Sequence, residues 1–163
     1  MDVSKFKQSD WLKVGGAAVV LVFAFFDWVS FDAGGFGSFG VNAFEFEFTG
    51  TLPWILVVAT GVLTFLMASG MMKAGSLPWP LLMLGATALA TVLMLIRLLF
   101  NPGADGLDRA FGLYLSVIGG VVALAGAFLS YRESGGTLDD LTDIEKIKGQ
   151  FGSGGGSTPP PVA

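Results

Sequence analysis

The chain has 163 residues, of which 53% are hydrophobic and 13% charged, with a net charge of −4. The charged fraction is about half that of a typical soluble domain, and the length suits one compact bundle with no second folded domain. Cysteine and histidine are both missing, which removes disulfides, thiolate nucleophiles, iron–sulfur clusters, covalent c-type haem, the commonest metal ligand and the commonest general base. The acidic balance offers no basic patch to nucleic acid.

Lys5, Lys7 and Lys13 precede the first apolar run, as in the charged region of a signal peptide. The run continues too far for one and ends in Asp27-Trp28 without a small-residue cleavage site. It reads as a retained signal-anchor helix over 14–31. Further apolar spans follow at 52–72, 79–100 and 110–131, and only Asp27 and Arg97 carry charge inside the four. A bilayer core about 30 Å thick needs roughly 20 apolar residues. The last three spans meet that length and the first is slightly short. The predicted fold class is an all-α membrane protein, a four-transmembrane-helix bundle over residues 1–133.

Placing the N-terminus in the cytoplasm puts Lys5, Lys7, Lys13, Lys73, Arg132, Lys146 and Lys148 inside, against Arg97 and Arg109 outside. That asymmetry sets both termini in the cytoplasm. Trp11, Trp28, Trp54 and Trp79 fall near span ends, as an aromatic belt requires. The inner turn around 72–78 is tight, and the outer turn 101–109 carries Asn101-Pro102-Gly103 and Asp105-Gly106 as turn signals. The first outer loop, 32–51, is the long one. It is glycine-rich at Gly34, Gly35, Gly37 and Gly40, and then Phe44, Phe46 and Phe48 alternate with Glu45 and Glu47. Period-two alternation predicts a half-buried strand. Its Phe face either caps the bundle or serves as a docking strand for a partner.

The fourth span carries small residues Gly112, Ser116, Gly119, Ala123, Gly126 and Ser130 at alternating spacings that share one helix face. Such a seam lets backbones approach closely in lipid, within the bundle or against another subunit. A weaker version, Gly61, Thr64 and Ala68, lies on the second span. Asp27 and Arg97 sit at matched depth near the outer boundary, where an isolated charge is costly. They read as a candidate ion pair, with a snorkelling Arg97 or a place on an ion or proton path as alternatives. No catalytic, cofactor-binding or metal-ligating set emerges, and the sequence predicts neither an enzyme nor a cofactor.

After Arg132-Glu133, residues 137–151 read as a short amphipathic helix. It opens on a capping box in which Asp140 stands three residues after Thr137. It is expected to dock on a partner or on the bundle rather than on the membrane surface. Residues 152–163 form a Gly/Ser/Pro-rich flexible tail.

Phe26-Asp27-Trp28, Asn42-Ala43-Phe44, Arg109-Ala110-Phe111-Gly112 and the stretch 157–161 carry a resemblance. With them the chain resembles small four-helix membrane proteins of actinobacterial type. The resemblance implies a bacterial cytoplasmic (inner) membrane and no defined activity. In outline the layout is also similar to claudins, without their paired loop cysteines or their Trp-Gly-Leu-Trp pattern. The leading functional expectation is a non-catalytic membrane subunit, accessory or scaffold, with the lipid bilayer and a protein partner or a homo-oligomer as its contacts. The alternatives are a small oligomeric transporter or channel component and, third, a membrane enzyme using the outer acids Glu45, Glu47, Asp105 and Asp108.

Overall fold

The computed structural model of the chain describes residues 6–100 and 108–152. The outer turn signals at 101–107, Lys5 and the tail from 153 onward lie outside the described residues. The fold is mostly helical. Its bundle consists of α1 (Gln8–Phe23), α2 (Leu52–Ala68), α3 (Trp79–Phe100) and α4 (Phe111–Glu133). Helix α1 packs on α4 and α2, and α3 packs on α4 and α2, so the four close a ring. Among the described residues, three stretches are long and apolar enough to cross a membrane: Glu47–Ala68, Trp79–Phe100 and Phe111–Glu133. Their outward faces carry exposed Ile55, Val62, Leu89, Val92, Ile118 and Val121. Apolar surface on this scale is what lipid solvates and water does not, and it marks the chain as a membrane protein.

The first helix differs from the predicted span of 14–31. It starts earlier because Asp10, in its first turn, accepts the Lys7 backbone N–H at 3.2 Å, satisfying one of the donors a helix start leaves open. It stops at Phe23, although the apolar run continues, because other segments take over its terminal carbonyls. The Trp28 indole N–H donates to the Phe23 carbonyl at 3.2 Å, and the Ala43 N–H donates to the Ala24 carbonyl at 3.1 Å. Trp28 is thereby fully buried in the core, not placed in an interfacial belt.

A three-stranded antiparallel sheet covers this end, in the order β2-β1-β3: β1 (Val29–Asp32), β2 (Ser38–Val41) and β3 (Asp108–Arg109). The β1–β2 turn runs through Gly34 at φ +62° and Gly37 at φ +92°, left-handed positions that suit glycine. The strand expected over Phe44, Phe46 and Phe48 does not form. Ala43–Glu45 is instead a 3₁₀ turn capped by Asn42, whose Oδ1 accepts from the Phe44 N–H at 3.0 Å. Glu47–Thr51 is a π-helical turn held by the Gly50 and Thr51 N–H groups donating to the Phe46 carbonyl, both at 2.8 Å. Local capping by Asn42 and a tight contact of Gly50 with Ala43 override the alternating pattern. Phe44 and Phe46 pack against the core, while Phe48 faces out.

At the opposite end the predicted single tail helix is two, α5 (Leu138–Thr142) and α6 (Ile144–Gly152). The Thr137–Asp140 capping box starts α5. Asp143 breaks the run with an extended backbone and restarts it by accepting the Glu145 N–H at 3.0 Å. Leu141 packs on a small core cluster of Leu84, Ala127 and Tyr131, so the tail folds back on its own bundle.

Candidate functional site

The described residues that combine charge, burial and open space lie where α1 begins and α4 ends. Lys13 sits five residues into α1, about 8 Å along the axis, and is 3% exposed. A buried ammonium is costly unless paired and hydrogen-bonded, and both conditions hold. Its Nζ lies 3.1 Å from Asp10 Oδ1 and donates to Ser130 Oγ on α4 at 3.1 Å. One turn nearer the end, the Ser9 hydroxyl donates to Glu133 Oε2 at 3.0 Å, and Lys7 Nζ lies 3.5 Å from the same oxygen.

These groups line one side of an open cavity of about 340 Å³. The far side comes from the end of α2 and the start of α3, with Thr64, Met67, Ala68, Trp79, Pro80 and Met83. The Trp79 indole N–H finds no acceptor among the described residues. In the sequence Lys7 and Lys13 read only as topology signals, and Ser130 only as a seam residue. The signal that could have joined them was the i, i+3 spacing of Asp10 with Lys13 and of Ser130 with Glu133, each placing a polar pair on one helix face.

The small-residue seam of α4 faces α1. A Cβ on Gly119 would come within 2.9 Å of the Gly16 carbonyl oxygen, and one on Gly126 within 2.7 Å of the Lys13 backbone nitrogen. Gly112 lies against the Asp27 and Phe23 carbonyls, and its N–H donates to the former at 3.0 Å. Ser116 and Ala123 are fully buried on the same face. Gly16 is the matching residue on α1: a Cβ there would meet the Ala123 nitrogen and the Gly119 oxygen at 2.5 Å. On α2, Gly61 rests on Ala17, and Thr64 reaches towards Met83.

Asp27 and Arg97 do not meet as an ion pair. Because α1 ends at Phe23, Asp27 falls in the connection to β1, exposed, with its carboxylate over Gly40. Arg97 is 2% exposed, and its guanidinium carbon lies 3.5 Å from the centroid of the Phe46 ring, a cation–π contact. Among the described residues no salt bridge joins the two. Arg109, read as a loop charge, instead closes the last turn of α3: its Nε donates to the Leu98 carbonyl and its guanidinium to the Leu99 carbonyl at 2.9 Å. A cation there also suits the negative end of the helix dipole.

Of the three Phe residues proposed to dock, only Phe48 is exposed. The larger exposed aromatic group is on and beside the hairpin: Phe31, Phe36 and Phe39, with Phe36 at 89%. Among the described residues no group of three or more His, Cys, Asp or Glu gathers to hold a metal. No protein-family model, curated protein or solved structure matches the chain.

Proposed function

We propose that the chain is a non-catalytic integral membrane subunit, an accessory or scaffold protein of a bacterial cytoplasmic membrane. In this reading α1 is a fourth crossing, short at 16 residues, and both termini are cytoplasmic. The membrane placement follows the actinobacterial-type resemblance, and the sidedness follows the lysine and arginine asymmetry. Cysteines introduced by Ser4→Cys and Gly155→Cys should stay protected from an impermeant thiol reagent in intact cells, while Ser38→Cys should label. Labelling at either terminus reverses the assignment.

The observation that carries the subunit reading is the aromatic group at the sheet end. Phe36, Phe39 and Phe48 are 89%, 62% and 74% exposed; Phe39 lies in β2 and Phe36 just before it, and β2 is an edge of the sheet among the described residues. Exposed aromatics next to an open strand edge suit strand addition by a protein partner. The small-residue seam, by contrast, is consumed inside the chain by α1, so partner contact falls to the sheet end. Wild type purified from native membranes in mild detergent should carry a stoichiometric partner that a Phe36→Ser/Phe39→Ser variant loses while keeping its helical spectrum. Retention of the partner by the variant removes the sheet end from the contact.

A second reading, an oligomeric transporter or channel component, draws on the buried hydroxyls Thr60, Thr64, Thr87, Thr91 and Ser116 between Lys13 and Arg97. The Thr60, Thr87 and Thr91 hydroxyls donate to carbonyls of their own helices, a common resting place for Thr in apolar helices. Val57, Met94 and Leu113 are fully buried alongside them. A homogeneous ring with a wet pore in the purified complex is the result that favours this reading.

A further inference from the structure

We infer that the cavity between Lys13, Glu133 and Trp79 binds a zwitterionic phosphoethanolamine group, carried on a phospholipid of the surrounding bilayer. The inference rests on the membrane reading of the three long helices and is independent of the docking role of the sheet end. Helices α1 and α4 pack to backbone contact between Gly16 and Ala123, yet about 340 Å³ stays open where α1 begins and α4 ends. That is room for roughly ten water volumes, in a cleft open on the side of Lys7 and Glu133.

Position narrows the occupant. The lining residues Ala68, Trp79 and Glu133 are terminal residues of α2, α3 and α4. The cavity therefore lies where the apolar spans end, at the depth of lipid headgroups. Met67, Ala68, Pro80 and Met83 give it an apolar wall, against which a glycerol and the first chain carbons can rest.

Charge narrows it further. Two cations, Lys7 and Lys13, and two anions, Asp10 and Glu133, line the space. The four charges sum to zero, so a purely anionic or cationic ligand would leave one charge uncompensated beside the buried Lys13, and a zwitterion leaves none. The spare hydrogen-bonding capacity has the same polarity. Lys13 has three N–H donors and uses two, on Asp10 and Ser130; Lys7, whose side chain is 67% exposed, has further N–H donors beside its contact with Glu133. These donors suit phosphate oxygens. Ser9 and Lys7 both approach Oε2 of Glu133, which leaves Oε1 to accept an ammonium N–H. Lys7 and Glu133 are the exposed partners, at 67% and 37% of their side chains, and form the side from which a headgroup enters.

The test uses the delipidated full chain in detergent, with the melting midpoint read against short-chain phosphatidylethanolamine, phosphatidylcholine and phosphatidylglycerol of equal chain length, and against soluble phosphoethanolamine. Phosphatidylethanolamine should raise the midpoint at concentrations about tenfold below the other two lipids, since only its ammonium can donate to the Glu133 carboxylate. Phosphatidylcholine has no ammonium N–H, and phosphatidylglycerol has no cation. Glu133→Gln should erase that preference, and Lys7→Met should weaken all three lipids several-fold, both with unchanged helical spectra. Equal midpoints for the three lipids overturn the inference, as does a preference that survives Glu133→Gln. Soluble phosphoethanolamine binding as tightly as the lipid would overturn the lipid assignment and give the site to a free molecule of the same chemistry.

Discussion

Gly16→Leu should leave little folded protein, while Gly15→Leu, one residue away on the same helix, should be tolerated. A Cβ at Gly16 meets the backbone of α4 at 2.5 Å, and one at Gly15 meets nothing within 4 Å. Over-packing typically costs about 1–3 kcal/mol when side chains can move aside. At Gly16 the obstacles are the Ala123 nitrogen and the Gly119 oxygen, which cannot rotate away, so the helices must separate. The expected loss lies at or above the top of that range, a large part of a typical net stability of about 5–15 kcal/mol. Gly126→Leu should behave like Gly16→Leu, because its Cβ would meet the Lys13 nitrogen, Leu12 and the Ser9 carbonyl. Gly15→Leu should gain slightly, since glycine inside a helix costs about 0.5–1 kcal/mol relative to alanine. Unfolding in a graded detergent titration, followed by far-ultraviolet circular dichroism, separates the cases. Equal tolerance at positions 15 and 16 would mean that α1 and α4 do not approach as described.

Lys13→Met should be the most damaging change among the charged residues at this end. It leaves the Asp10 carboxylate, whose side chain is 18% exposed, without its cation. It also removes the donor to Ser130 that ties α1 to α4. Breaking one side of a buried pair costs about 3–5 kcal/mol, whereas replacing both sides can be nearly neutral. Partial exposure of Asp10 puts the expected loss at the lower end of that range. The double variant Asp10→Asn/Lys13→Met should therefore be more stable than the sum of its single variants. Lys7→Met, at a side chain 67% exposed, should cost less than about 1 kcal/mol. Strictly additive losses at Asp10 and Lys13 in the same titration would sink the coupling and with it the cavity's charge balance.

The apolar lengths and the small-residue face are legible in the amino-acid sequence. Helix α3 occupies the expected residues and α4 comes within two of them, because some 20 consecutive apolar residues have few alternatives to a helix in lipid. The α4 seam was legible too, since its 4-3 spacing is a property of one helix alone. Its counterpart Gly16 was hidden, because nothing local says which neighbouring helix a seam will meet. Where α1 ends depends on long-range packing: its last carbonyls are taken by Trp28 and Ala43, and the Asp27 carbonyl by Gly112, a group far along the chain. That early end moved Asp27 out of the span and away from Arg97. The aromatic alternation at 44–48 predicted a strand, but the Asn42 cap and the Gly50–Ala43 contact drew it into turns. The strands formed at β1 and β2, where Gly34 and Gly37 permit the reversal. The cavity was likewise beyond a local reading. Asp10 and Lys13 stand more than a hundred residues from Ser130 and Glu133, and only the packing of α1 along α4 brings four ordinary polar residues into one charged wall.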